Sequence, residues 1–377
     1  MSGQPYGVEH KTTSLDISPG SNYWRRLTLD SQVSTYFAGA RTLGHELQGM
    51  LYDVIRKVQL RPHFATPVEE RKYTKPSDKA CPECKKKKPA ELPHMHETAF
   101  GQVQCVDGRV LTDPGGKLYA NLREHDESLE EFRLRVREEI GQNPDKYFGR
   151  AIIVRMAEEE AEAARDAWAI GRQIREAQLE RRWPRNPDGC DSFGSLCSYF
   201  DVCTGQANIL DPYRYRTAES THEELAKPSP EEGAGAVGAV EKVRLPVLSS
   251  SSAKTFRLCA RKYYYAYELR RRPISDGEAL RFGTLVHVGL EVWWSTVDVL
   301  KAIEAMRARA AGLEVDAVEM VKAEELMIGY HCRWHQEPYS VLAVEQEFNA
   351  PLVNPDTGAA SKTWRMGGKI DAIARAS

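Results

Sequence analysis

Apolar and polar positions alternate with the period of a half-buried strand over residues 6–13 and again over residues 364–374. The alternation puts Glu9 and Lys11 on one face of the first strand and Asp371 on the second. Residues 370–377 running on into residues 1–11 have the form of one β-hairpin with a Ser/Gly/Pro turn, so the chain is expected to begin and end inside a single hairpin. Residues 51–58 and 340–348 predict two further strands. Helical spacing takes over where Val33, Phe37 and Ala40 follow a capping Asp30 or Thr28, with Gln32 and Tyr36 sharing one side. Residues 281–294 predict another helix, stacking Gly283, His287 and Glu291. The chain reads as strongly helical from Glu124 to Arg182, broken at Pro144. Its second piece, 152–179, carries a packing stripe of Met156, Ala163, Ala167, Ile170 and Ile174 that Glu160 interrupts. Ser249 to Ser252 open a helix expected at Thr255. With the ends joined, the order helix, strand, strand, strand, helix, strand predicts an α/β core.

The 377 residues suffice for one large or two ordinary domains. Lys and Arg number 52 against 54 Asp and Glu, so no global basic field draws nucleic acid and any such contact must be local. No stretch approaches the roughly 20 apolar residues of a membrane span, and the N-terminus lacks a signal-peptide pattern. A cytoplasmic location with no membrane partner is therefore expected. The eight cysteines are too few for a disulfide scaffold, and their clustering points to metal.

Three clusters carry candidate chemistry. Two carboxylates brought together, Asp371 and Glu9, repel each other, and Mg²⁺ or Mn²⁺ relieves the repulsion with hard oxygen ligands. Such a site suits phosphodiester cleavage, with Lys11 steadying hydroxide or developing negative charge. Cys81 and Cys84, two residues apart in between, suit a zinc turn completed by Cys105 and one of His94 or His96; a basic loop with free thiols is the other reading. Cys190, Cys197 and Cys203 lie within fourteen residues, and a distant Cys259 makes four. Four thiolates suit an iron–sulfur cluster or structural zinc. The run from Arg261 and Lys262 through Tyr264 to Arg271 interleaves rings and cations as a nucleic-acid groove does, or as core tyrosines among solvated arginines do.

These residues resemble the RecB-like branch of the PD-(D/E)XK nuclease superfamily, particularly phage and CRISPR-adaptation-type exonucleases. The family order is a Gly-x-x-x-His-x-x-Leu-Glu helix, a strand, a Gly-x-x-Asp strand, a Glu-x-Lys strand and a Gln-x-x-x-Tyr helix. Gly283, His287, Leu290 and Glu291, then Gly368 and Asp371, then Glu9 and Lys11, then Gln32 and Tyr36 match it, with the second half placed first. The resemblance implies a circularly permuted restriction-endonuclease-like α/β core, a central mixed sheet flanked by helices, with a helical segment and a Cys-rich insertion. Residues 1–64 would form the second half of the nuclease core, 65–117 the insertion, 118–224 a helical region with the Cys cluster, 225–243 a linker and 244–377 the first half. It implies further that His287, Asp371, Glu9 and the His10 carbonyl ligate the metal, that Lys11 assists water, and that Gln32 and Tyr36 orient the site or contact DNA. A 4Fe-4S cluster is implied on Cys190, Cys197, Cys203 and Cys259.

The expected activity is a metal-dependent DNA exonuclease acting on ends or single strands, the alternative a catalytically impaired DNA-binding protein or recombination partner on the same fold. The site is expected in cis, with exchange of the Glu9 strand between chains as a second arrangement. A zinc-organised interaction protein would leave Asp371, Glu9 and Lys11 unexplained.

Overall fold

The computed structural model describes residues 3–81, 83, 94–98, 101–105, 108–192, 195–225, 245–274, 277–313, 315–337 and 339–376. Two compact units divide it, Met1–Gln59 with Val136–Ser377, and Leu60–Arg135. The strands of the larger unit's main sheet are β1 (Tyr6–Thr13), β2 (Gly49–Arg56), β3 (Phe148–Ile153), β4 (Val247–Ser249), β5 (Tyr339–Val353) and β6 (Ala360–Ala376). Its principal helices are α1 (Ser31–Thr42), α2 (Ala157–Glu180), α3 (Ser250–Leu258), α4 (Glu278–Thr296), α5 (Val299–Ala310) and α6 (Ala317–Trp334).

Strand β6 is the hub. It pairs antiparallel with β5 along most of its length and parallel with β4 through Arg365–Gly367. Antiparallel register also joins it to β1, with Tyr6 opposite Ala374, Gly7 opposite Ile373 and Val8 opposite Ala372. The head and tail strands are therefore neighbours. Parallel to β1 runs β2, and β3 closes the path antiparallel to β2, giving a mixed sheet. A near-continuous apolar run, Met50 to Ile55, makes β2 an interior strand covered on both faces, and Asp53 is the one charge within that run.

Helix α1 starts where the Asp30 carboxylate accepts the Gln32 N–H at 2.8 Å. Its apolar face, with Val33, Phe37 and Ala40, packs with Met50, Tyr52 and Val54 of β2, Phe348 of β5 and Ile370 and Ile373 of β6. Gly39 sets the approach, because a Cβ there would lie 2.5 Å from the Phe348 ring. A second core cluster gathers Ile170 and Ile174 of α2, Trp183, Leu248, Leu352, Trp364 and the tyrosines at 263, 265 and 267.

Several expectations need correction. Residues 148–153 are a strand rather than part of a helical stretch: Pro144 ends the preceding helix, and β-branched Ile152 and Ile153 extend along β2. Met156 leaves the packing stripe, being 63 % exposed at the start of α2. Helix α3 begins at Ser250 rather than Thr255, since Ser249 and Ser252 cap each other reciprocally. The smaller unit spans Leu60–Arg135, wider than 65–117. Short strands occupy it where no periodicity is readable, Ser77–Ala80 pairing with Arg109–Asp113 and Met95–Thr98 with Gly101–Gln104. Most of the expected linker, residues 226–243, lies outside the described residues. No described helix is long and apolar enough to cross a membrane.

Candidate active site

The pairing of β1 with β6 determines what meets. Their backbone register ends at Val8 and Ala372, and the next β1 donor, the His10 N–H, goes instead to the Asp371 carboxylate at 2.7 Å. The strands part there, and the acid of the tail fills the fork. Glu9 is 1 % exposed and ion-paired with Lys11, as alternation on one strand face requires. From α1, the Gln32 amide donates to the Tyr36 hydroxyl at 2.6 Å. From α4, His287 Nδ1 comes within 3.9 Å of Asp371 Oδ2. Gly283 lets α4 lie close to β1, since a Cβ there would sit 3.3 Å from Thr12 Oγ1.

The electrostatics follow from crowding two acids in a dry place. Burial pushes the Glu9 carboxyl up to about 7, Lys11 opposing and Asp371 adding to the shift. Burial would lower the Lys11 ammonium, but the charges of Glu9 and Asp371 outweigh it and hold the group above its usual range. Burial and the same two acids push the Tyr36 phenol well up. Partial burial, opposed by Asp371, lowers the His287 imidazole although 37 % of its side chain stays exposed, so it is a neutral nitrogen donor at pH 7. Glu9 Oε2 is buried without a hydrogen-bond partner. By donor type an orphaned carboxylate oxygen, a second acid and a neutral imidazole suit a divalent cation, and their three ligand atoms are spread more widely than 4.8 Å.

Comparison with known proteins bears on this fork. Residues 247–377 match the family model of the PD-(D/E)XK nuclease superfamily. The match supports membership of that superfamily, and a mixed sheet flanked by helices is consistent with a PD-(D/E)XK-like core. No curated protein and no solved structure matches the chain. The stretch matching the PD-(D/E)XK model contains His287 and Asp371; Glu9, Lys11, Gln32 and Tyr36 lie outside it and reach the same fork through β1 and α1.

Two further groups escaped the sequence reading. Glu345 lies across β5 from Asp371, between the pairs Val344–Ala372 and Gln346–Ile370, with a left-handed φ of 51° and an ion pair to Lys369. A strand residue in that conformation costs roughly 1–3 kcal/mol and is commonest at functional sites. Behind β1, Asp53 Oδ2 meets His10 Nδ1 at 3.2 Å and Arg150 Nη2 at 3.1 Å, and accepts from Tyr330, whose oxygen accepts the Trp294 indole N–H at 3.0 Å. Burial would raise the Asp53 carboxyl, but Arg150 and His10 hold it well below the usual range. A lone acid inside an apolar strand was the available signal. The His10 ring therefore lies against Asp53 and Trp294, 5.6 Å from the indole, on the opposite strand face from Glu9 and Lys11.

The other candidates divide. Cys190, Cys197, Cys203 and Cys259 line one open cavity of about 640 Å³ together with Arg261 and Lys262. Burial, with Cys197 and Cys259 adding to it, raises the Cys203 thiol. The tyrosine run is mostly core: 263, 265 and 267 are buried, and Tyr264 stacks on Trp183 at 5.4 Å. Arg261 donates to the Trp183 carbonyl at 2.8 Å, and the Arg271 carbonyl accepts from the Tyr199 hydroxyl at 2.6 Å. In the smaller unit Cys81, His94 and Cys105 converge; Cys84 and the His96 side chain lie outside the described residues.

Proposed function

We propose that this chain is a metal-dependent DNA nuclease of PD-(D/E)XK type in circularly permuted order, acting as an exonuclease on ends or single strands. The observation that carries the reading is the antiparallel register of β1 against β6, which puts Glu9 and Lys11 beside Asp371. Glu9, Asp371 and His287, with the His10 carbonyl, would hold one Mg²⁺ or Mn²⁺. A cation there would supply Lewis-acid polarisation of a phosphodiester and activation of water. Lys11, held cationic by the two acids, neutralises charge that develops on the phosphate. The Gln32–Tyr36 pair presents a protonated phenol toward the two acids. Arg261 and Lys262 supply local positive charge for a DNA backbone.

The four-cysteine cavity supports an iron–sulfur cluster over zinc. Tetrahedral zinc at about 2.3 Å from each sulfur needs thiolates about 4 Å apart, whereas these four line an open cavity of about 640 Å³. Four thiols around a wider space suit a cluster.

Digestion of end-labelled linear and circular DNA, single- and double-stranded, tests the reading. Linear substrate is degraded with Mg²⁺ or Mn²⁺ and circular duplex is spared. Glu9→Ala, Asp371→Ala and Lys11→Ala each lower the rate at least about 100-fold while leaving the circular dichroism spectrum unchanged. Digestion that persists in chelator, or in the Lys11 variant, overturns the mechanism.

A further inference from the structure

The smaller unit poses a stability problem that its side chains answer. Leu60–Arg135 is short for an independent unit; where its ribbons meet, Cys81, Cys105 and Val110 form a small buried apolar cluster, and Phe132 is buried in the helix at its end. Its strands Ser77–Ala80 and Gly101–Gln104 are exposed along nearly all their length. Two-stranded ribbons with so little apolar cover are marginal in water, and small units of this kind use a cross-link or a metal.

The ribbons meet at their ends. Cys81 follows the last residue of Ser77–Ala80, and its N–H donates to the Gly108 carbonyl at 2.6 Å, beside the partner strand Arg109–Asp113. His94 precedes Met95 and Cys105 follows Gln104, the pair at the open end of the second ribbon, and the Cys105 N–H donates to the His94 carbonyl at 2.8 Å. Each ribbon thus delivers donors to one point. Cys81 Sγ lies 3.4 Å from His94 Nε2, and the ligand atoms of Cys81, His94 and Cys105 all fall within 4.8 Å of one another. Among the described residues no other trio of potential ligands does so. Both cysteines are 2 % exposed.

We propose that Cys81, His94 and Cys105 bind a structural Zn²⁺ that locks the two ribbons together. Two thiolates and a neutral imidazole are a donor set for which zinc outcompetes the hard cations suited to Glu9 and Asp371, and two thiolates balance its charge. Binding displaces the two thiol protons, so zinc affinity rises with pH. The site is separate from the nuclease fork and stands or falls independently of it.

The test uses the full chain, purified without added metal and analysed for zinc by mass spectrometry. Wild type carries an equivalent of zinc that Cys81→Ser, Cys105→Ser and His94→Ala each lose and that a Cys197→Ser/Cys203→Ser control keeps. Replacement by Co²⁺ gives thiolate-to-cobalt charge-transfer absorption in wild type and in the control. Because a ligand variant can misfold, wild type is also treated with chelator and digested with trypsin: new cuts fall within residues 60–135, and added Zn²⁺ suppresses them. Zinc content equal in all the ligand variants, an unchanged tryptic pattern after chelation, or a Cys81–Cys105 disulfide in zinc-free native protein overturns the proposal.

Discussion

Glu9 is the residue where fold and chemistry conflict. Its folded carboxyl is raised by burial to about 7, above its value of 4.5 in an unfolded chain. The native state therefore holds more protons than the unfolded state between those values, so metal-free stability falls as pH rises through that window. The contribution is on the order of 3 kcal/mol at most. Denaturant titrations in chelator are expected to give wild type a lower midpoint at pH 8 than at pH 5.5, and Glu9→Gln is expected to flatten that dependence. Added Mn²⁺ should restore the wild-type midpoint at pH 8 and leave the variant unmoved. Asp53 shows the opposite strategy, a buried charge kept ionised by Arg150, His10 and the Tyr330 hydroxyl. Asp53→Ala leaves the Arg150 cation to Glu337 and the Tyr330 hydroxyl and is expected to cost roughly 1–3 kcal/mol in urea unfolding.

At the scale of elements, the fork depends on how closely α1 and α4 approach the sheet. Gly39→Ala drives a methyl into the Phe348 ring, so a loss of about 1–3 kcal/mol is expected, read by thermal unfolding, with weakened metal binding because Tyr36 rides on the same helix. Much at this scale was legible in the sequence. Period-two alternation marked β1 and β6 and aligned Glu9 with Lys11, and helical spacing with an Asp30 cap marked α1. Edge strand β3 was not legible, because residues 148–153 follow a charged helical run and become a strand only through pairing with β2. Glu345 was hidden for a related reason: its left-handed backbone and its place opposite Asp371 exist only once β5 is zipped to β6. The Asp53–Arg150 pair spans 97 positions, beyond any local pattern.

For the whole molecule, the consequence is that the candidate site brings together residues 361 positions apart through the pairing of β1 with β6. The register of β1 against β6 rests on the Tyr6–Val8 ladder, the His10–Asp371 bond and the parallel pairing of β2. Glu9 sits on β1 and Asp371 on β6, so a cation held by both favours the docked strand, and cation binding and β1 docking should be mutually reinforcing. Hydrogen exchange at the amides of residues 7–10 is expected to slow on addition of Mn²⁺, with no such change in Asp371→Ala.

The most direct test is a double-mutant cycle on Mn²⁺ affinity, measured by calorimetry on wild type, Glu9→Ala, Asp371→Ala and the double variant. If head and tail hold the same cation, each single change weakens the same binding event strongly and the double change adds little to either, a markedly non-additive cycle. Losses that simply add, or a Glu9 variant that binds as wild type does, would show that the two acids serve separate sites and would contradict the account.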